Sequence, residues 1–450
     1  MKNIETDILI IGAGPSGLVA AATAHENYPN KKIVLVKEYE KAQVPCGIPY
    51  VFGNTLASVD KNAMPCGGDV ENITKIVDKI IDVDIESKKA KGIKNEILFE
   101  KLIFATGSIP FVHKNFQDSL ELENVFTVYK EYDKVKDLKE YCNKVDKIVI
   151  IGTGFIGVEF ASELADINKD ITIVGGRHIL AASFDEDIAI KAENILNQKG
   201  VKLSLGQHAS KIVSKNNLAN GVELCDGTII DADLIILATG YQANSSLAKN
   251  AKLKLNRYNG IWVDEYMRTK DKDIFAIGDC SGRRDFITRD PSKVMLASTS
   301  AAEARVAGSS LYSLKNLKGF NGTIAIFSTM LDNTAFASAG VTQHRADLEN
   351  IEYSIGFFEG MNRHPGTIPD AMKQSVKLIV MKNSGQIIGG QVAGGKEAGE
   401  IINIIGLAIE AELTIHNIIS LQVATQPLLT AAPTTYPIVK AAQNALNKNN

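Results

Sequence analysis

The chain has 450 residues, 45% hydrophobic and 22% charged, with a formal net charge of −3. That is the composition of a globular protein with room for two to four domains of roughly 100–200 residues each. The near-balanced charge, with no block of Lys or Arg, argues against nucleic acid or an anionic membrane as partner and points to small-molecule chemistry.

In chain order, the first informative stretch is Asp7 to Gly17, DILIIGAGPSG. An apolar, β-branched run turns at Gly12 into a small-residue helix, as at the start of a dinucleotide-binding βαβ unit. Gly12 permits the tight turn, Gly14 lets the backbone approach a pyrophosphate, and Gly17 lets the helix lie against the strand; with Pro15 and Ser16 they form the candidate phosphate cradle at a helix N-terminus. KKIVLVKE supplies the next strand and ends in Lys37 and Glu38, where a carboxylate is expected to accept from ribose hydroxyls. VPCGIPY follows, centred on Cys46. Five cysteines, Cys46, Cys66, Cys142, Cys225 and Cys280, stand apart with no CxxC pair, against a disulfide framework and against a zinc site. KLIFATGS closes the unit at Thr106, Gly107 and Ser108.

The pattern then recurs. KIVIIGTGFIG carries Gly152, Gly154 and Gly157, VEFASELA continues as a helix, and DLIILATGY closes the copy at Thr239, Gly240 and Tyr241. Gly12 and Thr106 are 94 positions apart, Gly152 and Thr239 are 87 apart, so one architecture used twice explains both. Further on, FAIGD ends at Asp279, and Lys293 to Leu311 reads as a tightly packed helix. From Phe320 the character changes to strands (TIAIFS, SVKLIVM, QIIGGQVAGG), then helices from Ala398 to Ala411 and Tyr436 to Leu446, as in a separate α+β domain. The apolar run Ile401 to Ile409 is broken by Asn403, and the N-terminal run is too short for a secretory signal, so no membrane span and a cytoplasmic location are expected.

GAGPSG, ATGS, GTGFIGVE, ATGY and FAIGD fall in the order found in the FAD-dependent pyridine nucleotide-disulfide oxidoreductases, which the chain resembles over essentially its whole length. The resemblance implies an α/β fold with two Rossmann-like nucleotide-binding domains and a C-terminal α+β dimerisation domain. Residues 1–111 and 243–319 would form the FAD domain, 112–242 the NAD(P)H domain, and 320–450 the homodimer interface. It further implies that the first glycine turn with Thr106 and Gly107 holds FAD, that Asp279 bonds its ribityl chain, that the second turn with Gly240 holds NADH or NADPH, and that Glu159 lies near the nicotinamide. Two-cysteine members carry CxxxxC; Cys46 has no such partner, which resembles the branch of NADH oxidases and peroxidases, coenzyme A-disulfide reductases and NAD(P)H sulfur or polysulfide reductases.

Cys46 is the expected redox residue, with Pro49 opening a short helix whose positive end favours the thiolate; the other cysteines are expected to be small buried hydrophobes. After the second nucleotide unit's next strand the chain reads IVGGRH with no acid, so Arg177, with His178, is a candidate for the 2′-phosphate of NADPH. Glu163 reads as a solvated helix position and His364 as a turn residue. Where two-cysteine members place His-Pro, this chain offers Gln426-Pro427 or Ala432-Pro433, leaving Tyr436 as a weak donor from across the interface. The first helix offers only His25 as a basic contact for coenzyme A. The expected activity is electron transfer from NAD(P)H through FAD and Cys46 to a coenzyme A-disulfide or polysulfide. An NADH oxidase acting on oxygen or peroxide is the alternative, and a flavin-binding redox sensor the non-enzymatic one.

Overall fold

The computed structural model describes residues 1–64, 71–315 and 318–449. Its first sheet is built on Lys2–Ile11, which runs parallel to Ile33–Lys37 on one side and to Asn95–Phe104 on the other. Ile73–Val77 extends it beyond Ile33–Lys37, and Ile274–Ala276, from much later in the chain, joins in parallel beside Asn95–Phe104. Ile8, Leu9 and Ile10 are fully buried, because a parallel sheet covered on both faces has no solvent side. Lys89–Gly92 and Ile80–Asp84 continue the far edge as an antiparallel meander.

The second nucleotide unit repeats the plan. Lys147–Ile151 is central, with Asp170–Gly175 and Lys202–Leu205 on one side and Leu234–Leu237 and Val125–Thr127 on the other, all parallel. A three-stranded antiparallel sheet, Ala209–Lys215, Leu218–Leu224 and Ile229–Asp231, precedes its closing strand. The third sheet is antiparallel, in the order Phe327–Leu331, Thr334–Gly340, Ile387–Gly394, Lys373–Met381, Tyr353–Met361. Helices Ala398–Glu410 and Pro437–Asn449 pack their apolar faces on it in one core.

Both glycine turns are built alike. Gly12 has φ +112° and Gly152 has φ +130°, in the region open to glycine. A Cβ on Gly12 would lie 2.1 Å from the Ala105 carbonyl oxygen, and one on Gly17 1.9 Å from that of Gly12. At Gly152 and Gly157 the corresponding clashes are 2.2 Å and 2.3 Å. These four glycines are thus required by packing. Gly14 and Gly154 have no heavy atom within 4 Å of a built Cβ, so their backbone stands open to a ligand.

The two units are clasped together where the chain passes between them. Ser108–Pro110 pairs antiparallel with Tyr241–Ala243; the Asn244 amide donates to Gly107 at 2.9 Å and the Phe111 amide to Gly240 at 2.9 Å. The two ATG turns are thereby brought side by side.

Some element ends differ from the sequence reading. The helix expected from Lys293 spans Ala297–Ser309, with the residues before it outside regular structure, and the first C-terminal strand begins at Phe327 instead of Thr323. The last helix starts at Pro437, one residue after Tyr436, a position that suits a residue without an N–H to donate.

Candidate functional site

A cleft of about 960 Å³ runs between the glycine turns and reaches the C-terminal domain. Gly12, Gly14, Pro15, Ser16, Glu38, Thr106, Gly107 and Asp279 line it from the first unit, Gly154, Glu159 and Gly240 from the second, and Cys46 lies on its wall. Gly17, Gly152 and Gly157 sit behind it as packing positions. The cleft residues fit a dinucleotide by their own geometry. A bare amide turn at Gly14 opens a helix that needs no side-chain cap, leaving its first N–H groups for an anion.

Cys46 belongs to a 3-10 turn, Pro45–Gly47, and Pro49 opens a second, Pro49–Val51. Neither is long enough to sum a helix dipole, so the expected helical push toward thiolate is absent. The sulfur is open to the cleft and walled by protein elsewhere. Burial, then the Glu159 carboxylate, raises its thiol above the ordinary value, and Lys130 opposes that rise. The loop is shaped by Asn62, whose amide donates to Gln43 at 2.9 Å and to the Val44 carbonyl at 3.0 Å. Cys142 and Cys280 are buried as expected, Cys225 is exposed, against expectation, and Cys66 lies outside the described residues.

Glu159 accepts from Thr329 Oγ1 at 2.7 Å, so the C-terminal domain supplies part of this wall. Burial pushes its carboxyl up to about 7 against the hydrogen bonds from Thr329 and Tyr50. Beside it Phe155 stacks on Phe327, centroids 5.0 Å apart and 15° from parallel. Glu163 is buried, correcting the solvated reading. Residues 53–55 fold over the second glycine helix, Thr55 Oγ1 donates to it at 2.6 Å, and a Cβ on Gly53 would come within 2.4 Å of its carboxylate.

Asp279 accepts from Ser108 Oγ at 2.8 Å and from Lys130 Nζ at 3.3 Å. Burial alone would raise its carboxyl, but Lys130 and Arg283 hold it below the usual range. The loop carrying it is pinned from beneath by Glu303, fully buried, which accepts from the Gly278 amide at 2.7 Å and pairs with Arg283 at 3.1 Å. Glu38 reaches the cleft and pairs with Lys79 at 2.8 Å.

Other expected residues are not brought to this cleft. Arg177 is exposed just past the strand Asp170–Gly175, and His178 is turned toward the next helix, 3.0 Å from Glu193 and 3.5 Å from Glu186. Tyr436 packs in the C-terminal core, and Gln426 and His364 lie exposed at the surface of the C-terminal domain. Lys130, Thr329 and Tyr50 are what sequence reasoning missed. No motif marks Lys130 or Thr329, whereas Tyr50 is four residues from Cys46 and was open to notice.

Comparison with known proteins agrees with this geometry. The family model described as pyridine nucleotide-disulphide oxidoreductase matches residues 6–304, and that of its dimerisation domain matches residues 326–436. The chain belongs to the pyridine nucleotide-disulphide oxidoreductase family. It is similar to an NADH oxidase of Methanocaldococcus jannaschii, 29% identical over 98% of each chain. It is also similar to an NAD(P)H coenzyme A polysulfide/persulfide reductase of Pyrococcus horikoshii, 30% identical over 87% of this chain and 88% of that one. Among solved structures, a NAD-dependent persulfide reductase from A. fulgidus superposes with a TM-score of 0.88 at 28% identity, covering 98% of this chain and 83% of that one. The chain is therefore a nicotinamide-nucleotide oxidoreductase with two Rossmann-like units and a dimerisation domain. Among the described residues no helix is long and apolar enough to cross a membrane, and no group of His, Cys, Asp and Glu is arranged to hold a metal.

Proposed function

We propose that the protein transfers electrons from NADH or NADPH, through FAD, to Cys46 and a sulfur acceptor, a coenzyme A-disulfide or polysulfide. The observation that carries this reading is that one cleft holds both open glycine backbones, Gly14 and Gly154, together with the sulfur of Cys46. When bound, FAD supplies the ring that takes a hydride from the nicotinamide and returns two electrons to sulfur. Gly14, Pro15 and Ser16 hold the pyrophosphate, Glu38 the adenosine ribose, Asp279 the ribityl hydroxyls, and Gly154 and Gly240 the nicotinamide nucleotide. Cys46, as thiolate, attacks the acceptor S–S bond; the distal sulfur leaves with the electron pair, and Cys46 is released from its mixed disulfide or persulfide by the two electrons delivered from the nicotinamide. No imidazole lines the cleft among the described residues, so a leaving sulfur that is stable unprotonated, such as a polysulfide, suits it best.

The test is anaerobic: NADH or NADPH bleaches the yellow enzyme and the acceptor restores the colour, whereas Cys46→Ser is bleached and not restored. Equal turnover by Cys46→Ser on every sulfur acceptor would overturn the role of that residue. The Methanocaldococcus jannaschii relative, named NADH oxidase, supports oxygen as second acceptor, distinguished by recovery of colour in air alone. Arg177 is assigned to the 2′-phosphate of NADPH on its exposure beyond the second unit's strand, and Arg177→Ala that loses nothing in kcat/KM with NADPH would remove that assignment. A homodimer through the C-terminal domain fits the dimerisation-domain match and the exposure of Leu407, Leu428 and Leu429. The four described cysteines are free thiols, as suits a reducing cytoplasm.

A further inference from the structure

Lys130 lies between two anchored neighbours. Glu131 forms a backbone bridge with Ala42, four residues before Cys46. The Tyr132 hydroxyl donates to Asp60 at 2.6 Å, with Lys41 4.5 Å above its ring. On the other side the Tyr241 hydroxyl donates to the Val128 carbonyl at 2.6 Å. The segment carrying Lys130 is thus tied to the loop carrying Cys46, although the two are far apart in sequence.

Its side chain is equally constrained. Nζ donates to Ser108 Oγ at 2.6 Å and to Asp279 at 3.3 Å, and sits 4.6 Å above the centre of the Tyr241 ring. Ser108 in turn donates to Asp279 at 2.8 Å, making a closed triangle of contacts. An ammonium fixed this way loses little further freedom.

The groups acting on the Cys46 sulfur are mostly unfavourable to an anion. Glu159 and Asp279 are carboxyls, and burial disfavours any charge; Lys130 is the opposing cation. The Tyr50 hydroxyl is hydrogen-bonded to Glu159, while Glu131 faces the cleft next to Lys130. The turns that carry the sulfur, three-residue 3-10 pieces, supply it with no helix dipole of their own.

We propose that Lys130 is the positioning cation of this cleft: held by Ser108, Asp279 and Tyr241 beside the Cys46 loop, its ammonium sets the share of Cys46 present as thiolate. The inference rests on the reading of Cys46 as the redox sulfur. It adds the residue that makes that sulfur reactive where a helix dipole does not.

The test follows carboxamidomethylation of Cys46 by iodoacetamide, quantified on its peptide by mass spectrometry, against pH in the FAD-loaded enzyme. Wild type, K130M, K130Q and K130R are compared. Both neutral variants raise the midpoint by about one pH unit, the order of effect of one nearby charge, and K130R stays with wild type. The proposal is overturned if K130Q keeps the wild-type midpoint, or if K130R moves as far as K130Q. K130Q is one atom shorter than lysine but keeps a polar N–H donor on the Ser108 side, so it keeps the test intact should K130M fail to take up FAD. No turnover is read, so loss of the Cys46 mechanism, tested separately by Cys46→Ser, does not mimic failure of this proposal.

Discussion

Glu159 offers the most quantitative test of the cleft. Its carboxyl is pushed to about 7 from an ordinary 4.5, first by burial. An acid whose folded pKa lies above its unfolded one binds more protons folded than unfolded between those values. Its contribution is therefore fully present below the unfolded value and is lost as pH rises through the folded one. The interval of roughly 2.5 units, at about 1.4 kcal/mol each, predicts that the wild type loses about 3 kcal/mol from this group between about pH 4 and pH 8. Glu159→Gln keeps the shape and the acceptor for Thr329 but cannot titrate, so the comparison isolates the carboxyl. Urea unfolding of both proteins at the two pH values gives the difference directly. Wild type is expected to fall relative to the variant on going to the higher pH, by about that amount. A difference that stays flat across the range, or slopes the other way, would show that the buried carboxyl is not raised and that the wall formed by Thr329 and Phe327 does not shield it.

Gly12→Ala places a Cβ against the Ala105 carbonyl at a φ reserved for glycine; a cost of about 3–5 kcal/mol is expected, read as a lowered Tm with loss of yellow colour on purification. Arg283→Met leaves Glu303 buried without its cation under the Asp279 loop, so stability falls by about 3–5 kcal/mol and FAD retention with it, whereas the double change Arg283→Met with Glu303→Gln, which removes the charge and keeps an acceptor for the Gly278 amide, recovers much of the stability. Glu163→Ala strips the Thr55 hydroxyl of its acceptor and is expected to cost about 1–3 kcal/mol in urea unfolding. A solvated Glu163 would cost nearly nothing.

The glycine turns were legible because their physics is local: Gly12 and Gly17 clash with backbone atoms of the same unit, and such needs leave a short motif. That Cys46 lies by the glycine turns was legible from its place soon after the strand Ile33–Lys37. Its electrostatics were not, since Glu159, Lys130 and Asp279 reach it from three distant segments and no spacing records that convergence. The misreading of Glu163 has the same cause. Helical periodicity shows which residues share a face, but not that the loop after Cys46 folds over that face. Arg177 and His178, adjacent in sequence, diverge because Glu186 and Glu193 of the following helix pair with the histidine.

The ladder between Ser108–Pro110 and Tyr241–Ala243 places the departure and return of the whole second unit at one point. That unit is in effect a cassette whose two chain ends share one paired socket, while Thr55 and Thr329 hold its glycine helix from outside. A cassette with adjacent ends can be exchanged in evolution, or grafted in the laboratory, to retune the choice between the two nicotinamide donors while the flavin cradle is left as it was.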